Sequence, residues 1–196
     1  MKYTIVGSGA SPYVRRLRLY LQGHDVTFEV INLFDEHGDK RITHLNPLKR
    51  IPVLIAGDQV LWESRVIYNF LQRALSRPVL AVHEENAVSA IDALQDSWIQ
   101  TYLLKRFKHP VERDNPYYQR ATEREALILD YLNTAVYQGD FHRWDYPAMS
   151  LYCLLDWGRF RGMLDPATLG SALVEFHQRH TKMPQVGVQT TDPRLV

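Results

Sequence analysis

Along the first 75 residues the apolar positions change period several times. "KYTIVG" alternates with period two and predicts a strand, whereas Ser11 to Gln22 places Val14, Leu17 and Leu21 on one helical face. Gly23 supplies a stop for that helix. "VTFEVIN" predicts a second strand and Asp35 to Leu45 a polar helix. "IPVLIA" and "QVLW", separated by Gly57-Asp58, predict a hairpin. A helix from Glu63 to Leu75 follows, with Val66, Ile67, Phe70 and Leu71 expected inward. The order β-α-β-α-β-β-α implies a parallel pair joined by a right-handed crossover, to which the hairpin adds antiparallel edges.

After "LSRPVLAV" the pattern turns helical throughout. Helices are expected in "ENAVSAIDALQDSWIQTYLLKRF", in "YYQRATEREALILDYLNTAV" behind Pro116, in "YPAMSLYCLLDWGRF" and in "ATLGSALVEFHQRH". The chain therefore divides into an α/β domain over 1–75, a linker over 76–82 and an all-α helical bundle over 83–196. The run "QVGVQTTDPRLV" is not expected to fold by itself, and no long C-terminal lid is expected.

Composition narrows the class. With 45% hydrophobic and 23% charged residues in 196, the chain can bury a real core. A formal net charge of +1 gives no general attraction to nucleic acid or anionic lipid, so neither is an expected partner. Basic residues cluster at Arg15, Arg16 and Arg18 and at Lys105, Arg106 and Lys108, and both clusters are expected to be solvated helix faces. Cys153 is the sole cysteine, which excludes an intrachain disulfide and suits a small hydrophobe in a helix. The N-terminus lacks a signal-peptide pattern, and no window approaches the roughly 20 apolar residues of a membrane span, so a cytoplasmic protein is expected. His177 and His180 stand one turn apart, but no third ligand accompanies them and no metal is expected.

Three motifs carry candidate chemistry. Ser11 precedes Pro12 at a helix start, where its hydroxyl either caps the helix or, at the positive end of the dipole, donates to a thiolate. No histidine or acid is placed to activate Ser11 as a nucleophile, so donation is the better chemical role. Pro52 in "NPLKRIPVL" opens a strand; read locally it is an ordinary trans bond, whereas a cis bond would turn backbone groups outward for an extended peptide. In "WESRVI", Glu63 and Ser64 open a helix. They either cap it themselves or hold a ligand, Ser64 and the helix start taking a carboxylate and Glu63 an ammonium group.

Together these motifs, followed by an all-helical half, resemble the cytosolic glutathione transferase family. "SPYV" is similar to the serine version of the "CPYC" or "CPFA" start of glutaredoxin-like and omega-type members. The resemblance implies a thioredoxin-like N-terminal domain, a cis bond at Pro52, and glutathione as co-substrate in a homodimer serving detoxification. It carries Ser11 onto the glutathione thiolate, the backbone of Ile51 beside Pro52 onto the cysteinyl part, and Glu63 and Ser64 onto the γ-glutamyl end. Lys49 is carried onto the glycyl carboxylate. Thiol–disulfide exchange at position 11 is excluded because no sulfur stands there. The expected electrophile pocket draws on Tyr13, Trp98, Tyr102, Arg106 and Phe107, groups suited to a hydrophobic co-substrate. One departure is "DYPAM": Asp145 can cap its helix, but Ala148 cannot complete the capping box seen in the family.

The expected function is conjugation of glutathione to a hydrophobic electrophile. The alternatives are a non-catalytic regulatory protein on the same fold, similar to the starvation-type relatives, and a glutathione-dependent isomerase or dehalogenase.

Overall fold

A computed structural model describes residues 2–112, 114–183 and 186. They fall into two units, one of the residues up to Val79 together with Val186 and one running Leu80–Met183. In the first, β-branched and aromatic residues build β1 (Tyr3–Gly7), β2 (Val26–Val30), β3 (Val53–Ala56) and β4 (Gln59–Trp62). The strand order is β2-β1-β3-β4. β1 runs parallel to β2, pairing Tyr3 with Val26, and antiparallel to β3, pairing Tyr3 with Ala56. β3 and β4 form the expected hairpin, with Val53 opposite Trp62. The parallel pair and the antiparallel hairpin are those that the order of elements implied, and the sheet is the thioredoxin-like one that the resemblance implied.

Three helices complete the unit: α1 (Pro12–Tyr20), α2 (Glu36–Leu45) and α3 (Ser64–Ala74). Val6 and Val53 pack with Ile31 and Ile42 in one buried cluster. Alternation along the strands turns Ile5 and Leu54, both fully buried, to the opposite face. There α1 and α3 pack on β1, on β3 and on each other. Each such aliphatic side chain stabilises the fold by about 1.5–3 kcal/mol. Val66 was expected on this inner face and is half exposed, because α3 turns Ile67 and Leu71 inward instead. A Cβ at Gly7 would lie 2.5 Å from Val14 Cγ2, so only glycine lets the end of β1 come this close to α1.

The second unit holds α4 (Val82–Arg106), α5 (Pro116–Gln138), α6 (Tyr146–Phe160) and α7 (Ser171–Thr181). α4 packs on α5 and α6, and α7 packs on the same two helices. Every residue of α6 from Tyr146 to Gly158 is buried, Cys153 included, which is how a helix apolar on all sides is accommodated. Asp145 caps α6, accepting from the Ala148 amide at 3.5 Å. Where Ala148 has no side chain to answer, Arg143 Nε donates to Asp145 at 3.1 Å and Arg143 also binds Glu84. Glu84 in turn accepts from the Ala81 amide at the start of α4. Burial pushes the Asp145 carboxyl up, and the Ala148 amide and the Arg143 charge oppose that rise.

Two expectations need correction here. The last helix does not begin at Ala167: a 3-10 turn spans Pro166–Thr168, and α7 starts at Ser171. A Cβ on Gly170 would stand 2.2 Å from Asn133 Oδ1, and that same oxygen accepts from the Leu173 amide. The cap thus comes from α5, far away in sequence. Arg15 and Arg16 are not solvated but are 1% and 2% exposed. Arg18 is half-buried, with its guanidinium 4.0 Å from the centre of the Phe28 ring, and burial followed by the Arg15 charge holds it below its usual pKa. The cause is that α1 is enclosed on more than its apolar stripe. Lys105, Arg106 and Lys108 are exposed. The terminal run from Gln185, expected not to fold alone, lies outside the described residues except for Val186.

His177 and His180 are buried in the helical unit. His177 Nε2 lies 3.2 Å from Asp156 Oδ1, and His180 Nδ1 lies 2.8 Å from the Phe176 carbonyl. Trp144 stacks on His180 with ring centres 4.7 Å apart. Burial holds the His180 imidazole below its ordinary pKa, despite the raising effect of the Phe176 carbonyl. The folded state therefore prefers neutral His180, so its stabilising share is present above about pH 6.5 and is lost as pH falls and the unfolded chain takes up the proton. Urea denaturation at pH 7.5 and 5.5 is expected to show lower stability at the acid pH, and His180→Gln is expected to shrink that difference.

Candidate functional site

The candidate site residues of the first unit sit where secondary structure begins. Ser11 is the N-cap of α1, with extended backbone (φ −74°, ψ 125°), and Pro12 occupies the first helical position. Its Oγ accepts from the Val14 amide at 3.4 Å, and its own amide donates to the Ser8 carbonyl at 3.1 Å. A hydroxyl has one proton to give. Because Ser11 uses a lone pair toward its helix, that proton remains for a group in front of the helix start.

The segment between α2 and β3 turns on Asn46, a fully buried residue that the sequence reading did not single out. Its Nδ2 donates to the Arg50 carbonyl at 2.7 Å, and its Oδ1 accepts from the Leu48 amide at 2.9 Å. The Asn46 amide also donates to Ile42, and its carbonyl accepts from Lys49. These bonds hold the turn that delivers Ile51 and Pro52, whose peptide bond is cis. The local reading of Pro52 as an ordinary trans bond is thereby corrected, and the resemblance had implied the isomer found. Lys49 takes φ +51° at this turn, and its ammonium lies 2.6 Å from Asp39 Oδ1. Arg50, exposed and directly before Ile51, is a second cation at the same place. An asparagine before a proline is a recognisable turn signal, so Asn46 was within reach of sequence reasoning.

At the start of α3, Glu63 is the N-cap with φ 67° and ψ 119° and makes no side-chain capping bond. A left-handed φ at a non-glycine residue costs about 1–3 kcal/mol and is a feature that clusters at ligand sites. Self-capping by the Glu63 side chain is therefore not what the structure contains. Ser64 is 7% exposed, and its Oγ accepts from Arg16 Nη2 at 2.6 Å. Arg16 also places its guanidinium 4.6 Å from the centre of the Tyr13 ring. No local sequence signal marked Arg16, since it lies away from the Val14-Leu17-Leu21 stripe.

The expected pocket residues divide between the units. Tyr13 is half-buried in the first. In the second, Trp98 is a core residue rather than a pocket wall: it is 2% exposed, lies against Gly158, and donates through Nε1 to Glu125 at 3.3 Å. Tyr102 is half-buried, with its ring edge-on to Trp157 at 5.7 Å and Arg161 4.9 Å from its centre. Arg106 and Phe107, at the end of α4, are exposed.

Residues 10–74 match the sequence pattern of the glutathione S-transferase N-terminal domain, and this stretch carries Ser11, Asn46, Pro52 and Ser64. Residues 10–74 thus carry a glutathione S-transferase N-terminal domain pattern, and the chain takes the fold of solved glutathione transferases. Among solved structures, a glutathione transferase family member of Pseudomonas fluorescens Pf-5, crystallised with bound glutathione, superposes with a TM-score of 0.82. The two share 21% identity over 96% of this chain and 98% of that one. The uncharacterized GST-like protein YibF of Escherichia coli is 32% identical over 51% of this chain and 52% of its own length. A stringent starvation protein A homolog of Coxiella burnetii is 34% identical over 61% of this chain and 56% of its own. The chain thus spans about half the length of these curated relatives.

Because the buried Asn46 side chain satisfies two backbone groups of the turn at once, Asn46→Ala removes the protein partner of both the Arg50 carbonyl and the Leu48 amide. Chemical denaturation is expected to show a loss of about 1–3 kcal/mol, the worth of two side-chain hydrogen bonds.

Proposed function

We propose that this chain binds glutathione through its first unit and transfers it to a hydrophobic electrophile. The observation that carries the reading is Ser11: a hydroxyl at the N-cap of α1 that accepts from its own helix and so keeps its proton for an anion in front of it. A free cysteinyl thiol has a pKa of about 8.5, and an electropositive helix start with a hydroxyl donor lowers it. The thiol proton leaves to solvent. The thiolate sulfur then attacks the electrophilic carbon, a C–S bond forms, and the leaving group departs with its electron pair. In this reading the backbone at Ile51 and Pro52 receives the cysteinyl part, and Glu63 and Ser64 receive the γ-glutamyl end. Arg50 shares the glycyl carboxylate with Lys49, whose charge Asp39 already answers. Tyr13, Tyr102, Arg106 and Phe107 remain candidates for contact with the second substrate, and Trp98 is withdrawn from that set. No helix among the described residues is long and apolar enough to cross a membrane. The cytoplasm is the proposed compartment, with detoxification the proposed role.

A second reading is supported by the 34% identity to a stringent starvation protein A homolog: a regulatory protein that retains the fold without transfer chemistry. Isothermal titration with glutathione separates the two. Binding in the micromolar to millimolar range is expected, and a folded chain that does not bind favours the regulatory reading. Ser11→Ala is expected to change glutathione affinity less than about threefold. The same substitution should raise the thiol pKa in the complex and slow conjugation at pH 7 by about 10- to 100-fold, the worth of one hydrogen bond to a charged group. An unchanged thiol titration in that variant would falsify the role of Ser11. A homodimer is proposed, and light scattering at micromolar concentration is expected to give twice the mass of the 22.9 kDa chain.

A further inference from the structure

α4 and α6 lie side by side in the helical unit. Near their starts Arg143 binds Glu84, and near their ends the Tyr102 ring stands edge-on to Trp157 at 5.7 Å. Arg161, the C-cap of α6, closes this end. Its guanidinium carbon lies 4.9 Å from the centre of the Tyr102 ring and 4.5 Å from that of Phe160. Aromatic faces answer the positive charge but offer its N–H donors no lone pair. Arg161 Nε is buried without an acceptor, and among the described residues the guanidinium pairs with no carboxylate and no carbonyl. The Tyr102 hydroxyl has no partner among them either. We infer that Arg161 and Tyr102 form a binding site for a flat aromatic carboxylate. Resting on the glutathione reading above, this site selects an acid as the second substrate.

The ligand class follows from the groups present. Tyr102 and Arg161 are half-buried and Phe160 is 37% exposed, so a ligand can reach them, while the buried Trp157 backs Tyr102. A guanidinium fork matches the two oxygens of a carboxylate. One cation balances a monoanion, whereas a dianion leaves surplus negative charge against the negative faces of the rings. Those same faces suit a flat apolar body attached to the acid. Two further effects oppose each other. Lys105 and Arg106 in the last turn of α4 raise the positive potential nearby. The carbonyls at the end of α6 stabilise the arginine but repel an anion. Selectivity for the acid therefore stays on the scale of one charge-assisted bond.

Binding is tested with 3-nitrobenzoate and 3-nitrobenzamide, which share ring and size and differ in charge. Titration calorimetry on the parent is expected to favour the acid about tenfold, the worth of one hydrogen bond to a charged group. Arg161→Met and Arg161→Gln are expected to abolish that preference while changing amide affinity less than about threefold, and Arg161→Glu to reverse it. A ratio of two ligands on one sample refers to the same folded fraction, so it is readable even where a variant is partly unfolded. Turnover is tested with 4-chloro-3-nitrobenzoate and 4-chloro-3-nitrobenzamide, each rate divided by the uncatalysed rate with glutathione. In both reactions the thiolate forms a C–S bond, chloride leaves with the C–Cl electron pair, and the thiol proton goes to solvent. The same acid preference and the same loss in the Arg161 variants are expected in kcat/KM. A parent that binds both nitrobenzenes alike, or an Arg161→Glu chain that keeps the acid preference, would overturn the site. A preference present in binding but absent from turnover overturns the substrate role. A parent that binds glutathione but shows no acid preference overturns this inference alone. A parent that selects the acid through Arg161 yet binds no glutathione overturns the functional reading and upholds the acid site.

Discussion

The 2.6 Å bond from Arg16 to Ser64 ties the helix that opens at Ser11 to the helix that opens at Ser64. Helix starts present unsatisfied amides and a positive dipole end, and a site made from two of them works only if their relative placement is fixed. Apolar packing of α1 and α3 against β1 and β3 supplies most of that placement. It is not directional, however, and leaves hydroxyl orientation open. The buried guanidinium provides direction. Gly7 sets the spacing on the other side, since any side chain there would push the end of β1 away from Val14 and carry Ser11 with it.

The turn before β3 follows the same economy of donors and acceptors. Asn46 answers a carbonyl and an amide with one side chain, and its backbone joins the preceding helix end. Asp39 engages the Lys49 ammonium on the exposed side of this turn. Half-exposed ion pairs of this type contribute little to stability, so the buried asparagine rather than the lysine holds the turn in shape.

In the helical unit, polar groups lock ends while apolar groups fill the middle. α6 is buried along almost its whole length, and its N-terminus is held by Asp145 and Arg143, with Arg143 reaching on to Glu84. α7 begins where Asn133 of α5 accepts its amide. Trp98 belongs to this scaffold, because Glu125 satisfies its indole and Gly158 makes room for its ring. An aromatic residue at helical spacing is more often core than pocket, and for Trp98 the neighbours Glu125 and Gly158 decide for core.

Hydrophobic periodicity in the chain was enough to place four strands and seven helices, because period two and period 3.6 are local properties of the backbone. Ser11, Pro52 and Ser64 were legible for a similar reason: caps and proline restrictions act within a few residues. What tertiary structure alone decided lies across sequence separations of tens of residues. Arg16 meets Ser64 48 positions away, Asn133 caps a helix 40 positions on, and Trp98 finds Glu125 27 positions later. A charged residue on a helix reads as solvated until the fold covers it. Enclosure of α1 turned Arg15 and Arg16 from surface groups into interior ones, and no pattern within the helix records what will pack against its second face.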